Sequence, residues 1–508
     1  MRHIGLAAAI LFAAISMPVG GQTLLNGHFS GAYVYVDGNT SVAPSWTHYR
    51  VLQSPQFKKS DFEQMPGGPG GEISCQQIWT DWSTFDAGVY QTITGCTIGQ
   101  TYRLAGWFLS IFRHGDTLNP PYQDGIICQK IGVDLTGGAN PDSAGIIWSW
   151  NDPLDRRWRQ ILVDFTTSSS TITVFARSNN QQAQHNCLSF YDAFTLAPAN
   201  PVRITNLAVR PGLTDATITW TTDVPSDSTV YWWQYQGSAK DPQSRTISTP
   251  TTSHSVTITG LAQSTQYYFK VTSHVSGKDD GVSWGPSSIN PFKTMSGTQF
   301  ASLTAARNNA DGLKVYVRDL IVSVGASDLT NAFYLQQQNR TTGIRASKVG
   351  ITANAGAILD VTGTLSTVSG ERMLTGVSVF PVTVTSKPPP LAMATSSIGG
   401  EDLNGYNPGI TGGTGPFSIG LLVTVWGRIT YVSDASQKYF YVDDGRGLRD
   451  GTLAGRKGLR VSYLNTNSSV TPHLGNYALV TGASSCFQYS GRSIPQVILR
   501  SATDLREF

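Results

Sequence analysis

The sequence predicts an all-β chain built as a row of modules. Three observations carry this. Runs of five to nine residues alternate large side chains with small or polar ones, and no long 3.6-residue period appears after the first twenty-one residues. Glycine, at 52 residues, and proline, at 25, fall between those runs, where turns need them. At 508 residues the chain exceeds one core, and three to four domains is the expectation. Many short strands with Gly and Pro turns point to sandwiches and small barrels.

The chain starts with Met1-Arg2-His3, then an apolar run from Ile4 to Met17, then small residues before Gln22. That is the pattern of a secretory signal over residues 1–21, too short to span a membrane comfortably. No second apolar run of spanning length follows. A secreted protein, extracellular or on the cell surface, is expected. Four of the five cysteines (Cys75, Cys96, Cys128, Cys187) fall before residue 200, and Cys486 stands alone. In an exported module they read as two disulfides rather than a metal site, since no Cys-x-x-Cys spacing occurs. Four cysteines allow three pairings and the sequence does not choose; Cys75–Cys96 with Cys128–Cys187 is the working guess.

Residues 22–198 form the first module, which holds seven of the twelve tryptophans. Strand phrases run through Gly88-Val-Tyr-Gln91, Tyr102-Arg-Leu-Ala-Gly-Trp107 and Thr171-Ile-Thr-Val-Phe-Ala-Arg177. The module opens with Leu24-Leu-Asn-Gly-His-Phe29 and closes with Leu188-Ser-Phe-Tyr-Asp-Ala-Phe-Thr-Leu196. This order resembles carbohydrate-binding modules with the galactose-binding-like jelly roll, in which the opening and closing strands lie side by side. The resemblance implies a polysaccharide or glycan partner. Many members carry an acidic residue after the opening phrase that helps bind a structural calcium. Here that place is Ser30. Asp192 matches the closing acid, a thin site for a cation that takes six or more oxygens. Calcium at Asp192 is the one cofactor the resemblance brings in; none other is expected.

Residues 199–296 carry Ala216-Thr-Ile-Thr-Trp220, Ser228-Thr-Val-Tyr-Trp-Trp233 and Thr265-Gln-Tyr-Tyr-Phe-Lys-Val-Thr-Ser273. Their two-faced alternation is that of sandwich strands. The module resembles a fibronectin type III domain, with Trp220 as the core tryptophan of its second strand. Such domains space and orient their neighbours.

The rest contains a repeat. Leu313-Lys-Val-Tyr-Val-Arg-Asp-Leu-Ile-Val322 matches Leu421-Leu-Val-Thr-Val-Trp-Gly-Arg-Ile-Thr430, and Phe333-Tyr-Leu335 matches Phe440-Tyr-Val442. Gly343-Ile-Arg345 matches Gly458-Leu-Arg460, and Gly356–Gly363 matches Gly475–Gly482. Five strand phrases recurring in one order imply duplication. Two five-stranded OB-like barrels are expected, over 298–385 and 421–508, joined by a linker over 386–420 with room for part of it to pack on a barrel. They resemble OB-like modules attached to exported bacterial nucleases and hydrolases.

No Gly-x-Ser-x-Gly, His-Glu-x-x-His, P-loop or Rossmann fingerprint is present. A glycosidase needs two carboxylates across a cleft. Asp81, Asp86, Asp124 and Asp152 read as loop residues, where Asp ordinarily caps turns. No enzyme activity is expected. Trp79, Trp82 and Trp150 stand beside turn residues, where exposed rings mark binding, although large rings also plug sandwich ends. They are expected on one side of the first module, with Arg113 donating hydrogen bonds to sugar hydroxyls. Trp107, Trp148 and Trp220 read as core. In the barrels, strand parity turns Tyr334, Arg345, Tyr441 and Arg460 outward, toward the wall where OB folds stack bases or sugars. An ordinary cross-strand Tyr/Arg pair is the plainer reading. Nucleic acid is the rival partner and a disfavoured one: residues 300–508 hold 18 Lys/Arg against 13 Asp/Glu, a net of +5 over two barrels rather than a dense patch. A glycoside hydrolase is the other rival.

Overall fold

The computed structural model describes residues 23–60, 75–114, 125–234, 242–285, 291–452, 454–466 and 469–508. The expected signal and Asp124 lie outside them. The fold is all-β: a jelly-roll sandwich, a fibronectin type III sandwich and two OB-like barrels in tandem. The chain divides into two compact units. One runs to Val209 and adds Ile218–Val256 and Gln266–Phe292; the other takes Arg210–Thr217, Thr257–Thr265 and Lys293–Phe508.

In the first unit two sheets face each other. The larger orders its strands Val34–Asp37, Thr40–Val42, Gln56–Ser60, Cys75–Thr80, Cys187–Pro198, Thr101–Ile111 and Arg159–Thr166. The smaller orders Thr47–Leu52, Phe85–Thr94, Thr171–Asn180, Ile127–Asp134 and Ile147–Trp148. Alternate residues of both sheets fill the space between, as facing sheets require. Phe29 stacks on Trp46 at 4.8 Å, and Phe194 meets both edge-on. The opening and closing phrases do lie side by side: Phe194 N–H donates to the Gly27 carbonyl at 2.8 Å. A Cβ on Gly27 would strike that strand's carbonyl at Phe194, so the approach requires glycine.

The expected disulfides are not there. Cys75, Cys96, Cys128 and Cys187 stand as buried thiols, as does Cys486. Cys75 packs with Leu109, Ile111, Leu188 and Phe190, whereas Cys96 belongs to the core between the sheets. Cys128 Sγ turns to the Gly125 carbonyl at 3.8 Å and Cys187 Sγ to that of Gln184 at 3.6 Å. Burial pushes the Cys128 thiol up to about 12, so it is inert as a nucleophile near neutral pH.

The fibronectin-type strands Asp215–Gln234 and Gln266–Ser273 pair antiparallel, Thr229 opposite Thr272 through Gln234 opposite Tyr267. Trp220 is buried, as expected. Its ring lies parallel to His254 at 4.8 Å, and its Nε1 donates to Ser273 Oγ at 3.0 Å.

In the second unit the repeat becomes two barrels of one topology. The first uses Lys314–Val324, Ala332–Gln336, Gly343–Ser347, Ala357–Val368 and Glu371–Val384. The second uses Leu422–Val432, Tyr439–Asp443, Leu459–Ser462, Tyr477–Tyr489 and Arg492–Leu499. Each orders its strands first, second, third, fifth, fourth, with the fourth closing on the first. In each, the long first strand slips register where it passes to the second, between Val322 and Val324 and between Ile429 and Tyr431. Such a bulge lets one strand curl across both sides of a small barrel. The stretch read as linker contributes to the second barrel. Leu391–Ala392 pairs parallel with its first strand, and Ile398 is buried in its core.

Candidate functional site

The site lies at one end of the jelly roll, where three chain segments meet. Register brings two of them together: Cys187 pairs with Thr80 and Leu188 with Trp79. The chain beyond Thr80 then turns through Asp81 and Trp82, and Trp82 takes a left-handed conformation at φ +52°. Its N–H donates to the Gln184 carbonyl at 2.8 Å, which fixes the turn against the loop before Cys187. With its backbone so held, the Trp82 indole projects into water and is 65% exposed. The His185 imidazole flanks it at 6.0 Å.

Asn186 is the node of this end. Its Oδ1 accepts from Trp79 Nε1 at 3.1 Å, and its Nδ2 donates to the His114 carbonyl at 3.3 Å. Its own carbonyl accepts from His114 N at 2.8 Å. Asp81 Oδ1 accepts from Asn186 N at 3.0 Å and lies 2.8 Å from His185 Nδ1. Arg113, at φ +61°, is half-buried beside His114. Beneath, Phe112, Ile126, Ile127 and Cys187 form an apolar floor. The result is an exposed ring bordered by imidazole, amide and carboxylate edges on a rigid base. That combination of a flat apolar face and fixed polar groups suits a polyhydroxylated ring.

Of the predicted residues, Trp79, Trp82 and Arg113 gather here and Trp150 does not. Trp79 is half-buried, its ring packed beside Leu188 and Phe190 and 5.7 Å from the Lys58 ammonium. Trp150 stacks on Trp284 at 5.1 Å, in a cluster with Leu154, Trp233 and Tyr268. Its turn neighbour Asp152 is buried and paired with Arg159 at 2.7 Å. A cleft of about 720 Å³ opens beside that stack, lined by Trp148, Trp150, Asp164, Lys278 and Trp284 among others. Trp107 and Trp148, read as core, are half-buried instead. Trp148 covers Gly132 with the Lys130 ammonium 4.2 Å from its ring.

Asp86 is not a loop residue but a strand residue, joined to Arg177 at 2.7 and 2.9 Å. Asp192 Oδ1 accepts from Ala193 N at 2.7 Å, and Asn26 Oδ1 accepts from Ser30. Among the described residues no group of three or more His, Cys, Asp or Glu gathers in a way that could hold a metal.

In the barrels the predicted partners do face each other, Tyr334 opposite Arg345 and Tyr441 opposite Arg460. Their exposure differs from the expectation. Tyr334 is wholly buried and Tyr441 nearly so, because each hydroxyl is drawn onto an acid: Glu371 Oε1 at 3.1 Å and Asp450 Oδ2 at 2.6 Å. Neither tyrosine offers a face to a ligand.

Nothing in the sequence points to His185 and Asn186. They are consecutive in the loop before Cys187, and nothing in their local spacing marks them.

No family model matches the chain, and no curated protein matches it. Solved structures similar to parts of it include TmCBM61 in complex with β-1,4-galactotriose, at 11% identity over 30% of this chain and 89% of that one, with a TM-score of 0.20. The tandem CBM22-1–CBM22-2 domain of Xyn10C from Paenibacillus barcinonensis is 9% identical over 47% and 93%, with a TM-score of 0.20. Domains FN1–FN3 of chicken CNTN1 are 10% identical over 55% and 99%, with a TM-score of 0.15. Glycosidases are matched as well, in smaller part of their own length. These likenesses assign no family.

Proposed function

We propose that this is a secreted, non-catalytic glycan-binding protein that meets its sugar at the Trp82 end of the jelly roll. The observation that carries the reading is the exposed Trp82 indole, held by a left-handed turn and bordered by His185, Asn186 and Asp81. The pairing of that ring with fixed polar groups, rather than the exposed ring alone, supports a contact role over packing. The carboxylates support a binding role over hydrolysis. Asp81 is occupied by His185 and Asn186, Asp86 by Arg177 and Asp152 by Arg159, which leaves none of them poised as a free acid/base pair.

The test is a glycan array with the full chain, followed by titration of the best glycan. Trp82→Ala is expected to weaken binding by about 1–3 kcal/mol, by analogy with other ring-stacking platforms, with an unchanged melting temperature. Trp150→Ala, which removes a packed ring, is expected to lower the melting temperature. Unchanged affinity in Trp82→Ala, or release of reducing sugar from the bound glycan, would sink the reading.

A further inference from the structure

The second barrel carries an open aromatic face that the jelly-roll site does not account for. Its first strand, its fourth strand and the short strand Leu505–Glu507 lie side by side, with Trp426 opposite Leu479, Leu479 opposite Arg506, and Arg428 opposite Tyr477. Phe508 follows beside Tyr477, its N–H donating to the Tyr477 carbonyl at 2.9 Å. Strand parity turns all six side chains outward, and all six are exposed. Two rows result, Trp426–Leu479–Arg506 and Arg428–Tyr477–Phe508. Trp426 and Tyr477 are 59% and 53% exposed, their rings 6.3 Å apart and 25° from parallel. Its side chains include two guanidiniums and, among the described residues, no carboxylate. Glu507, alternate to Arg506 and Phe508 on its strand, is held by His473 and Asn476.

The sister barrel shows what this surface is for when it is closed. Val317 pairs with Val361 there as Val425 pairs with Val480 here. Arg318 therefore stands where Trp426 does, and Asp360 where Leu479 does. Asp360 is buried and holds Arg210 through both oxygens at 2.7 and 2.8 Å, while Leu213 and Met295 cover Tyr316. The chain itself occupies the first barrel's face and seals it with an acid–guanidinium pair. In the second barrel the position of Asp360 is taken by the exposed Leu479 and that of Arg318 by the exposed Trp426.

We propose that the Trp426–Tyr477 face binds a uronate-bearing polysaccharide. Pyranose rings offer flat C–H faces that lie on Trp426, Leu479 and Tyr477, and their carboxylates accept the forks of Arg428 and Arg506. Arginine forks match carboxylates with two parallel hydrogen bonds. Two guanidiniums among four apolar side chains fit a chain with an anion on some of its rings. They are too few for a nucleic-acid strand, whose phosphates demand a basic track. The inference extends the glycan reading to a second site but does not depend on the first.

The experiment titrates the full chain, and its Trp82→Ala form, with polygalacturonate oligosaccharides. Neutral dextran, dextran sulfate and a 20-residue oligothymidylate run beside them. Binding to polygalacturonate is expected in both proteins, weakening as salt rises. Trp426→Ala is expected to lose about tenfold or more in affinity, the size of one lost stacking ring, and Trp426→Phe to recover most of it. Arg428→Ala with Arg506→Ala is expected to erase the preference over dextran. These side chains are exposed, so near-ultraviolet circular dichroism should show each variant folded; Tyr477→Ala replaces any that is not. Tighter binding to dextran sulfate or oligothymidylate, no binding to polygalacturonate, or affinity indifferent to Trp426 overturns the proposal. Loss in Trp82→Ala alone would move uronate binding to the jelly roll and overturn it too.

Discussion

The two barrels descend from one strand pattern and keep the same tyrosine–arginine pair, yet they use it differently. In the first, Tyr334 and Arg345 converge on Glu371, at 3.1 and 3.4 Å. The second barrel closes over that acid: Ser485 Oγ donates to it at 2.8 Å, and Leu422, Ala483 and Ile498 pack with Tyr334. In the second barrel, Tyr441 bonds Asp450 of its own loop. Arg460 spreads over two rings, 4.2 Å from Tyr439 and 4.3 Å from Phe487. One pair has become the polar centre of an interface, and the other has stayed a surface brace. Duplication preserves a pair's geometry, but the next neighbour decides its dielectric, and so its energy.

The largest expected difference follows from the acids. Glu371→Ala takes the shared acid from the half-buried Arg345 guanidinium and the buried Tyr334 hydroxyl, and leaves Ser485 Oγ only its longer contacts to the Cys486 carbonyl and Gln496, a loss of about 3–5 kcal/mol. Asp450→Ala costs Tyr441 its partner but leaves Arg460 on its rings, a loss of about 1.5–3 kcal/mol. Urea unfolding of the full chain measures both. In Glu371→Ala the transitions of both barrels should move together, because Ser485 belongs to the second. Equal losses, or a loss confined to one barrel, would mean that Glu371 does not join the two.

How much of this was legible beforehand depended on distance along the chain. Strand parity is local, so Tyr334 opposite Arg345 could be read from Phe333-Tyr-Leu335 and Gly343-Ile-Arg345 alone. The burial of Tyr334 could not, because it is set by Leu422 and Ile498 of another barrel. The jelly-roll site shows the same split. Trp79 and Trp82 announce themselves beside a turn, while His185 and Asn186 reach them only through the pairing of Cys187 with Thr80. Trp150 misleads because Asn151-Asp152 looks like an exposed turn. Arg159 takes Asp152 inside, and Trp284 takes the ring. The disulfide guess failed for the same reason. Four cysteines in one module look like two bridges until packing puts Cys75, Cys96 and Cys187 in three different clusters and turns Cys128 Sγ to the Gly125 carbonyl.

A smaller difference is expected between the arginines. Arg345→Ala removes a charge partner from a buried acid, at about 1.5–3 kcal/mol for a charge-assisted bond. Arg460→Ala removes contacts over two rings at a partly solvated wall, at about 0.5–1 kcal/mol. Thermal unfolding of the two variants in the same buffer gives the order. If Arg460→Ala proves the costlier, the stacked guanidinium is the structural centre of the second barrel, and the contrast between brace and interface fails.

The subtlest contrast is in pH. Burial raises Glu371 above the ordinary carboxylate range, against the opposing pull of Arg345 and the Ser485 and Tyr334 hydroxyls. A raised carboxyl binds its proton more tightly folded than unfolded. Its contribution is therefore fully present below the unfolded value of about 4.5, and is lost as pH rises through the folded value. Glu371→Gln keeps the shape and removes the titration. The melting temperature of the natural chain relative to Glu371→Gln should thus be highest near pH 4 and fall toward neutrality. Every other titrating group is common to both proteins and cancels in that difference. A relative melting temperature that instead rises with pH would mean that Arg345 outweighs burial and holds Glu371 ionised. The interface would then be a true ion pair, closer in kind to the second barrel's wall than the geometry implies.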